Sequence, residues 1–171
     1  MKREIQIHPL EPIFDENSRI LILGTFPSVK SRETKFYYGH PQNRFWKVIS
    51  TLVGEAIPTT IEEKTTLLLR HGIALWDVLA SCEIKGSSDS SICNPKPNDI
   101  GAIIQKTQLR QIFTNGKKAQ QLYEKFIAPQ INMEAHCLPS TSPANGRFHL
   151  EELLSAWKVI ATYLVETKRV V

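Results

Sequence analysis

Four short apolar runs, each stopping at a turn-forming or polar residue, constrain this chain more than any other feature. Arg19-Ile20-Leu21-Ile22-Leu23 stops at Gly24, Gly72-Ile73-Ala74-Leu75-Trp76 at Asp77, Arg110-Gln111-Ile112-Phe113-Thr114 at Asn115-Gly116, and Glu134-Ala135-His136-Cys137-Leu138 at Pro139-Ser140. Runs of this length suit strands rather than helices. The first is nearly continuous in branched apolar residues, as expected for a strand covered on both faces. Elsewhere the period changes to that of a helix. Asn43 to Val53 carries Phe45, Trp46, Ile49, Leu52 and Val53 on one stripe. Thr60 to Arg70 opens with a capping threonine and Glu62-Glu63 in its first turn. Ile100 to Lys106 follows Asn98-Asp99, Lys117 to Phe126 follows Gly116, and His149 to Thr167 places Leu150, Leu153, Leu154, Trp157, Ile160, Ala161 and Leu164 at helical spacing. Strands separated by helices predict right-handed crossovers. The expected architecture is therefore a three-layer α/β/α sandwich around a mostly parallel four-stranded sheet, in one domain spanning 1–171.

The remaining features mostly exclude. Apolar residues make up 42% and charged residues 22% of the 171 positions, which is globular rather than disordered composition. No run approaches the ~20 apolar residues of a membrane helix, and no signal-like apolar core follows Met1-Lys2-Arg3-Glu4; a cytoplasmic monomer with no membrane partner is the expectation. A net charge of +4 permits a polyanionic partner without demanding one. Cys82, Cys93 and Cys137 form neither a disulfide framework nor a zinc or iron–sulfur set, and read as reduced packing residues. His8, His40, His71, His136 and His149 show no metal spacing, so neither metal nor cofactor is expected. The glycine-rich phosphate-binding motifs of nucleotide-binding α/β proteins are missing.

In open parallel sheets, ligands bind beyond the carboxyl ends of the strands. Three polar, turn-rich segments follow strands here: Gly24 to Asn43, Ser81 to Asn98, and Pro139 to Arg147. Within them stand Gly24-Thr25-Phe26-Pro27-Ser28, then Tyr37-Tyr38-Gly39-His40-Pro41-Gln42-Asn43-Arg44-Phe45-Trp46-Lys47, and Leu138-Pro139-Ser140-Thr141-Ser142-Pro143-Ala144-Asn145. In order, these resemble the first motif, the His-Pro-x-Asn-Arg-Phe-Trp segment and the second motif of the uracil-DNA glycosylase superfamily. The middle segment is most similar to mismatch-specific uracil-DNA glycosylases. The flanking two are more similar to the hypoxanthine-DNA glycosylase branch. The resemblance runs from about Ile20 to Leu164. It implies a metal-free enzyme that hydrolyses the bond between a flipped, deaminated base and deoxyribose, with hypoxanthine the favoured target and DNA the partner.

Two positions depart from the pattern. Phe26 stands where mismatch-specific enzymes place a water-positioning Asn, and Leu138 stands where uracil-specific relatives use a polar residue. Catalysis has therefore moved to other residues or been lost. The resemblance points to Asn43, whose carbonyl can orient water and whose amide can bond the base; the same residue can instead cap the helix after it. Asp89, in the polar loop Gly86 to Ser91, can orient water and balance a cationic sugar, or simply form a turn. Base contacts are expected from Gly24, Thr25, Phe26 and Tyr38, with an aromatic of Phe26 or the Phe36-Tyr37-Tyr38 group stacking on the base. Trp46 and Trp157 read as core, and Asn94 and Asn98 as turn residues. Ser28, Ser140, Thr141, Ser142 and Lys117 are the expected phosphate contacts, and Asn145 is an expected DNA contact in the segment that supplies the wedge. Arg147 or Phe148 is the expected wedge into the gap left by extrusion. Lys168-Arg169 reads as a solvated pair. The alternatives are a uracil or mismatch-specific enzyme of the same fold, and a non-catalytic nucleic-acid-binding α/β protein.

Overall fold

The computed structural model describes residues 3–164; Val165 to Thr167 of the expected last helix, and Lys168-Arg169, lie outside them. In chain order the elements are β1 (Glu4–Ile7), β2 (Ile20–Gly24), α1 (Val29–Thr34), α2 (Phe45–Val53), α3 (Ile61–Arg70), β3 (Ile73–Asp77), β4 (Leu79–Ile84), β5 (Cys93–Pro97), α4 (Ile100–Lys106), β6 (Gln111–Asn115), α5 (Lys117–Phe126), α6 (Ala128–Ile131), β7 (Ala135–Leu138) and α7 (Leu150–Trp157). The four apolar runs become β2, β3, β6 and β7, and they pair in parallel in the order β3-β2-β6-β7. Every residue of β2 is buried, because both of its faces are covered. Successive strand side chains point to opposite faces. Accordingly Ile20 and Ile22 join a core with Phe45, Leu68 and Trp157 from α2, α3 and α7. Leu21 and Leu23 join a second core with Ile100 of α4 and Ala119, Leu122 and Tyr123 of α5. This is the three-layer sandwich.

Helix ends follow their local chemistry. The Thr60 side chain accepts from the Glu63 N–H at 3.0 Å while Glu63 reaches back to the Thr60 N–H, a reciprocal cap at the start of α3. The Asp99 carboxylate caps α4 through the Ala102 N–H at 3.2 Å. The expected helix over His149 to Thr167 is shorter: α7 ends at Trp157 and continues as a 3₁₀ segment, Lys158–Tyr163.

The Ser81 to Asn98 segment is a correction. It is not only turn: it carries most of β4, then a 3₁₀ turn at Asp89–Ser91, then β5. With β1 these form an antiparallel sheet in the order β1-β4-β5. Register shifts on β4 break the period-two alternation that marks a strand. Two prolines, Pro95 and Pro97, stand in β5, and they are tolerated because β5 is an edge strand. Asn94, read as a turn residue, is in the left-handed region within β5 (φ 48°). Leu79, Cys82 and Ile84 pack this sheet onto the second core.

The chain runs from β2 outward to the β3 edge, then returns past β2 to β6 and β7. The strand order thus reverses between β2 and β6, and a crevice opens where loops leave adjacent strands in opposite directions. Gly24-Thr25 and Asn115-Gly116 stand at that point.

Candidate active site

A cleft of about 1090 Å³ lies at the carboxyl edge of the parallel sheet. All three polar segments singled out in the sequence contribute to it: Gly24 to Ser28 with Tyr38 and Asn43, Ser87 to Ser90, and Pro139 to Asn145 with Arg147. Asp77 and Asn115, at the ends of β3 and β6, complete its floor.

Asn43 sits at the junction of two of these segments. Its Oδ1 accepts from the Phe45 N–H at 2.9 Å and from the Thr141 hydroxyl at 2.8 Å. Both acceptor positions of the carbonyl are therefore occupied, and the donors on the other side fix which amide atom is oxygen. The amide nitrogen makes no hydrogen bond among the described residues and belongs to a cleft-lining side chain. The helix-start and site readings of Asn43 are compatible: the oxygen serves the fold, and the nitrogen has no partner among the described residues.

Thr141 ties this side to the sheet. Its backbone N–H donates to Asn115 Oδ1 and its hydroxyl accepts from Asn115 Nδ2, both at 3.0 Å. Expected at the DNA backbone, Thr141 is instead fully buried, with its hydroxyl committed between two asparagines. Its contribution is to hold Asn43 in place. The Ser28 hydroxyl likewise serves the fold, accepting from the Ser31 N–H at 3.1 Å as the cap of α1. Ser140 and Ser142 are half-buried at the cleft, where their hydroxyl oxygens accept from the Ser142 and Ala144 N–H groups at 3.1 and 3.2 Å. Lys117 is exposed at the start of α5 and borders the cleft. Gly116 precedes it at φ 103°, and a Cβ there would stand 3.1 Å from the Ser140 Cβ, so glycine lets β6 and the 140–148 loop meet.

Arg44 was not singled out in the sequence, yet it organises that loop. Its guanidinium donates to the carbonyls of Ser142 at 2.8 Å, Asn145 at 3.2 Å and Thr141 at 3.4 Å, and also to that of Phe148. A planar fork with five donors suits several carbonyls at once. Asn145 adds a bond from Nδ2 to the Ser140 carbonyl at 3.0 Å. At the tip, Arg147 is exposed, whereas Phe148 packs against the first core. Of the two wedge candidates, Arg147 is the exposed one, and both line the cleft.

Asp89 lies at the opposite rim. The residue is exposed, but its carboxyl group turns toward the cleft, 3.5 Å from the Thr25 hydroxyl. Burial, and then the neighbouring Asp77 charge, raise its pKa above the ordinary carboxylate value. Phe26 is a buried cleft wall, edge-on to His8 with ring centroids 5.8 Å apart. Of the expected stacking group, Phe36 lies against Trp46 and the Tyr37 hydroxyl donates to the Glu11 carbonyl at 2.7 Å, so both are structural. Tyr38 stacks on Phe45 at 4.0 Å, leaving its hydroxyl as the group nearest the cleft floor. Trp46 and Trp157 are buried, as read from the sequence.

Sequence reasoning passed over Asp77, His8 and Asn115. Asp77 and Asn115 were visible only as the ends of apolar runs; a polar residue closing a buried strand is the signal that was available. The three cysteines are free, but Cys137 is exposed, so a packing role fits Cys82 and not Cys137. Among the described residues, no three His, Cys, Asp or Glu side chains converge as a metal-ligating group. No helix among them is long and apolar enough to cross a membrane.

Comparison with known proteins places this geometry. The model of the uracil DNA glycosylase superfamily matches residues 11–161. A hypoxanthine DNA glycosylase of Methanosarcina acetivorans is 37% identical over 150 residues, covering 86% of this chain and 93% of the relative. A second protein of that name, from Methanosarcina barkeri, is 33% identical over 148 residues, covering 85% and 92%. A solution NMR structure from Methanosarcina acetivorans, of a protein proposed to be a uracil DNA glycosylase, superposes with a TM-score of 0.78 at 35% identity, covering 92% of this chain and 96% of that one.

Proposed function

Since the chain belongs to the uracil-DNA glycosylase superfamily and is a DNA N-glycosylase, we propose that its preferred target is hypoxanthine, excised from DNA to leave an abasic site. The observation that carries this reading is the convergence of Gly24-Thr25, Asn43, Asp89 and the Ser140 to Asn145 loop on one cleft at the switch point of the sheet. Two relatives bearing the name hypoxanthine DNA glycosylase support the choice of base.

Breaking the glycosidic bond moves negative charge onto the departing base and positive charge onto the sugar. Preorganised neutral donors stabilise the first, and a carboxylate the second. Asn43 is assigned the first task through Nδ2, since its oxygen is already bonded twice. Its amide is a hydrogen-bond donor and not a proton acceptor. Asp89 is assigned the second: ionised, it balances the sugar charge and orients the attacking water. Extrusion costs least where pairing is already poor, which favours a deaminated base over a normal one. Gly24, Thr25, Phe26 and Tyr38 enclose the base, the exposed groups of the 140–148 loop with Lys117 follow the backbone, and Arg147 fills the gap.

The test is a matched set of duplexes carrying hypoxanthine, xanthine or uracil, incubated with purified protein and chelator. Alkali-labile sites should form fastest at hypoxanthine. Faster cleavage at uracil would move the chain to a uracil-directed role; binding with no cleavage of any base would make it a binder.

A further inference from the structure

We propose that His8, Asp77 and Tyr38 together read the hydrogen-bonding edge of the everted base, with His8 fixing Asp77 as a pure acceptor beside the Tyr38 donor, an order that admits a lactam N–H beside its carbonyl and rejects the ring nitrogen and amino group of adenine. The inference rests on the glycosylase reading above.

Asp77 is 4% exposed at the end of β3, and His8, whose side chain is 4% exposed, donates to it across 69 residues of sequence. The direction of that bond follows from the other side of the ring. The Leu10 backbone N–H donates to His8 Nδ1 at 3.1 Å, so Nδ1 carries a lone pair and the ring hydrogen is on Nε2. Nε2–H then donates to Asp77 Oδ2 at 2.8 Å. Phe26, Tyr37 and Trp76 surround the imidazole, with centroids 5.8, 6.2 and 6.4 Å away, and hold its orientation. His8 precedes the 11–161 segment that matches the superfamily, whereas Asp77 and Tyr38 lie within it.

The second oxygen, Asp77 Oδ1, makes no hydrogen bond among the described residues and lies beside Gly24. A Cβ at Gly24 would collide with it and would stand 3.0 Å from the Tyr38 hydroxyl. One glycine thus leaves open a point flanked by an acceptor and a donor. The Tyr38 hydroxyl is buried and has no hydrogen-bond partner among the described residues. Its backbone takes the left-handed region, φ 52°, to place the ring there. Burial, and then the Asp77 charge, raise its pKa, so the hydroxyl keeps its proton and remains a donor. A buried donor left unpaired is costly, and an acceptor on a base seated beside Gly24 would pair it.

Hypoxanthine offers N1–H beside O6: a donor for Asp77 and an acceptor for Tyr38. Adenine offers the reverse, an N1 lone pair beside an amino group, and would set both pairs against each other. Uracil carries the same order as hypoxanthine in N3–H beside O4. Guanine does too, so its exclusion falls to its firmer pairing in the duplex.

The experiment measures single-turnover excision from duplexes containing hypoxanthine or N1-methylhypoxanthine, with binding to a duplex carrying a stable abasic analogue as control. Wild-type protein should excise hypoxanthine and fail on the N1-methyl base. His8→Phe should lower hypoxanthine excision roughly ten- to hundredfold, the scale of a lost base-edge pair, with abasic-duplex affinity unchanged. His8→Gln, which keeps a donor toward Asp77, should recover most of the rate; a merely structural histidine would show no such rescue. Asp77→Asn should lose at least as much as His8→Phe, because its oxygen would accept from Nε2–H and its amide would face N1–H. Equal excision of the N1-methyl base, or wild-type rates in both His8→Phe and Asp77→Asn, would overturn the inference. Wild-type removal of uracil with hypoxanthine left intact would instead overturn the hypoxanthine reading, and the same variants assayed on uracil would then decide this one.

Discussion

Replacing Asn43 by Asp separates the two jobs that this side chain holds. The Asn43 oxygen accepts from the Phe45 N–H and the Thr141 hydroxyl, and the nitrogen has no protein partner among the described residues. Asp keeps both acceptor bonds, removes the donor and turns a carboxylate oxygen toward the developing anion. Asn43→Asp should therefore fold with near-normal stability. Its excision of hypoxanthine should fall by at least about 10²–10³, the cost of deleting one preorganised donor to a developing anion, roughly 3–4 kcal/mol, with the carboxylate's repulsion added. Asn43→Ala should show that catalytic loss and a structural one. The Phe45 N–H and the Thr141 hydroxyl lose their acceptor, at a cost of about 2–3 kcal/mol. For a chain of this size, that lowers Tm by roughly 4–12 °C. The assay pairs single-turnover excision under saturating enzyme with thermal melting of each variant. An active Asn43→Asp protein would refute the donor role. If Asn43→Asp and Asn43→Ala lost the same stability, the division of labour between oxygen and nitrogen would be wrong.

Other perturbations test other parts of the account. Asp89→Asn should lose excision yet melt higher at neutral pH, because the raised pKa means that the ionised form opposes folding; the gain should vanish as pH falls below the ordinary carboxylate range, measured by melting across pH. Gly24→Ala should abolish excision, since the added methyl occupies the point between Asp77 and Tyr38, while circular dichroism shows the fold retained. Arg44→Lys should weaken binding to lesion-containing DNA and speed amide exchange over residues 140–148, because an ammonium cannot span the carbonyls that the guanidinium holds. Lys117→Ala should reduce the slope of log affinity against log salt by about 0.9, the signature of one lost phosphate contact.

The sheet was legible because each of its strands is a compact apolar run with a turn signal behind it, and the burial of β2 on both faces is written in its unbroken Ile-Leu-Ile-Leu. The antiparallel sheet was not. Register shifts erase the alternation of β4, and Pro95 and Pro97 argue against a strand unless its place at an edge is known. Helix starts at Thr60 and Asp99 announced themselves through capping chemistry, whereas the change to 3₁₀ after Trp157 has no comparable sequence mark. In the site, Asn43 was visible as a residue type in a motif, but the use of each of its atoms depends on Thr141, 98 residues away. The same holds for Thr141, which reads as a surface hydroxyl and is a buried brace. His8 and Asp77 are ordinary at their own positions and acquire meaning only when the fold brings them together.

The most direct test is the structure of the protein bound to a duplex carrying 2′-fluoro-deoxyinosine, in which the fluorine disfavours the cationic sugar and stalls hydrolysis. The account predicts the nucleotide rotated out of the helix, its base in the cleft between Gly24 and Asn43 with the Asn43 amide nitrogen in hydrogen-bonding range, and Arg147 in the vacated space. An inosine still stacked in the duplex, or a base seated away from this cleft, would contradict it.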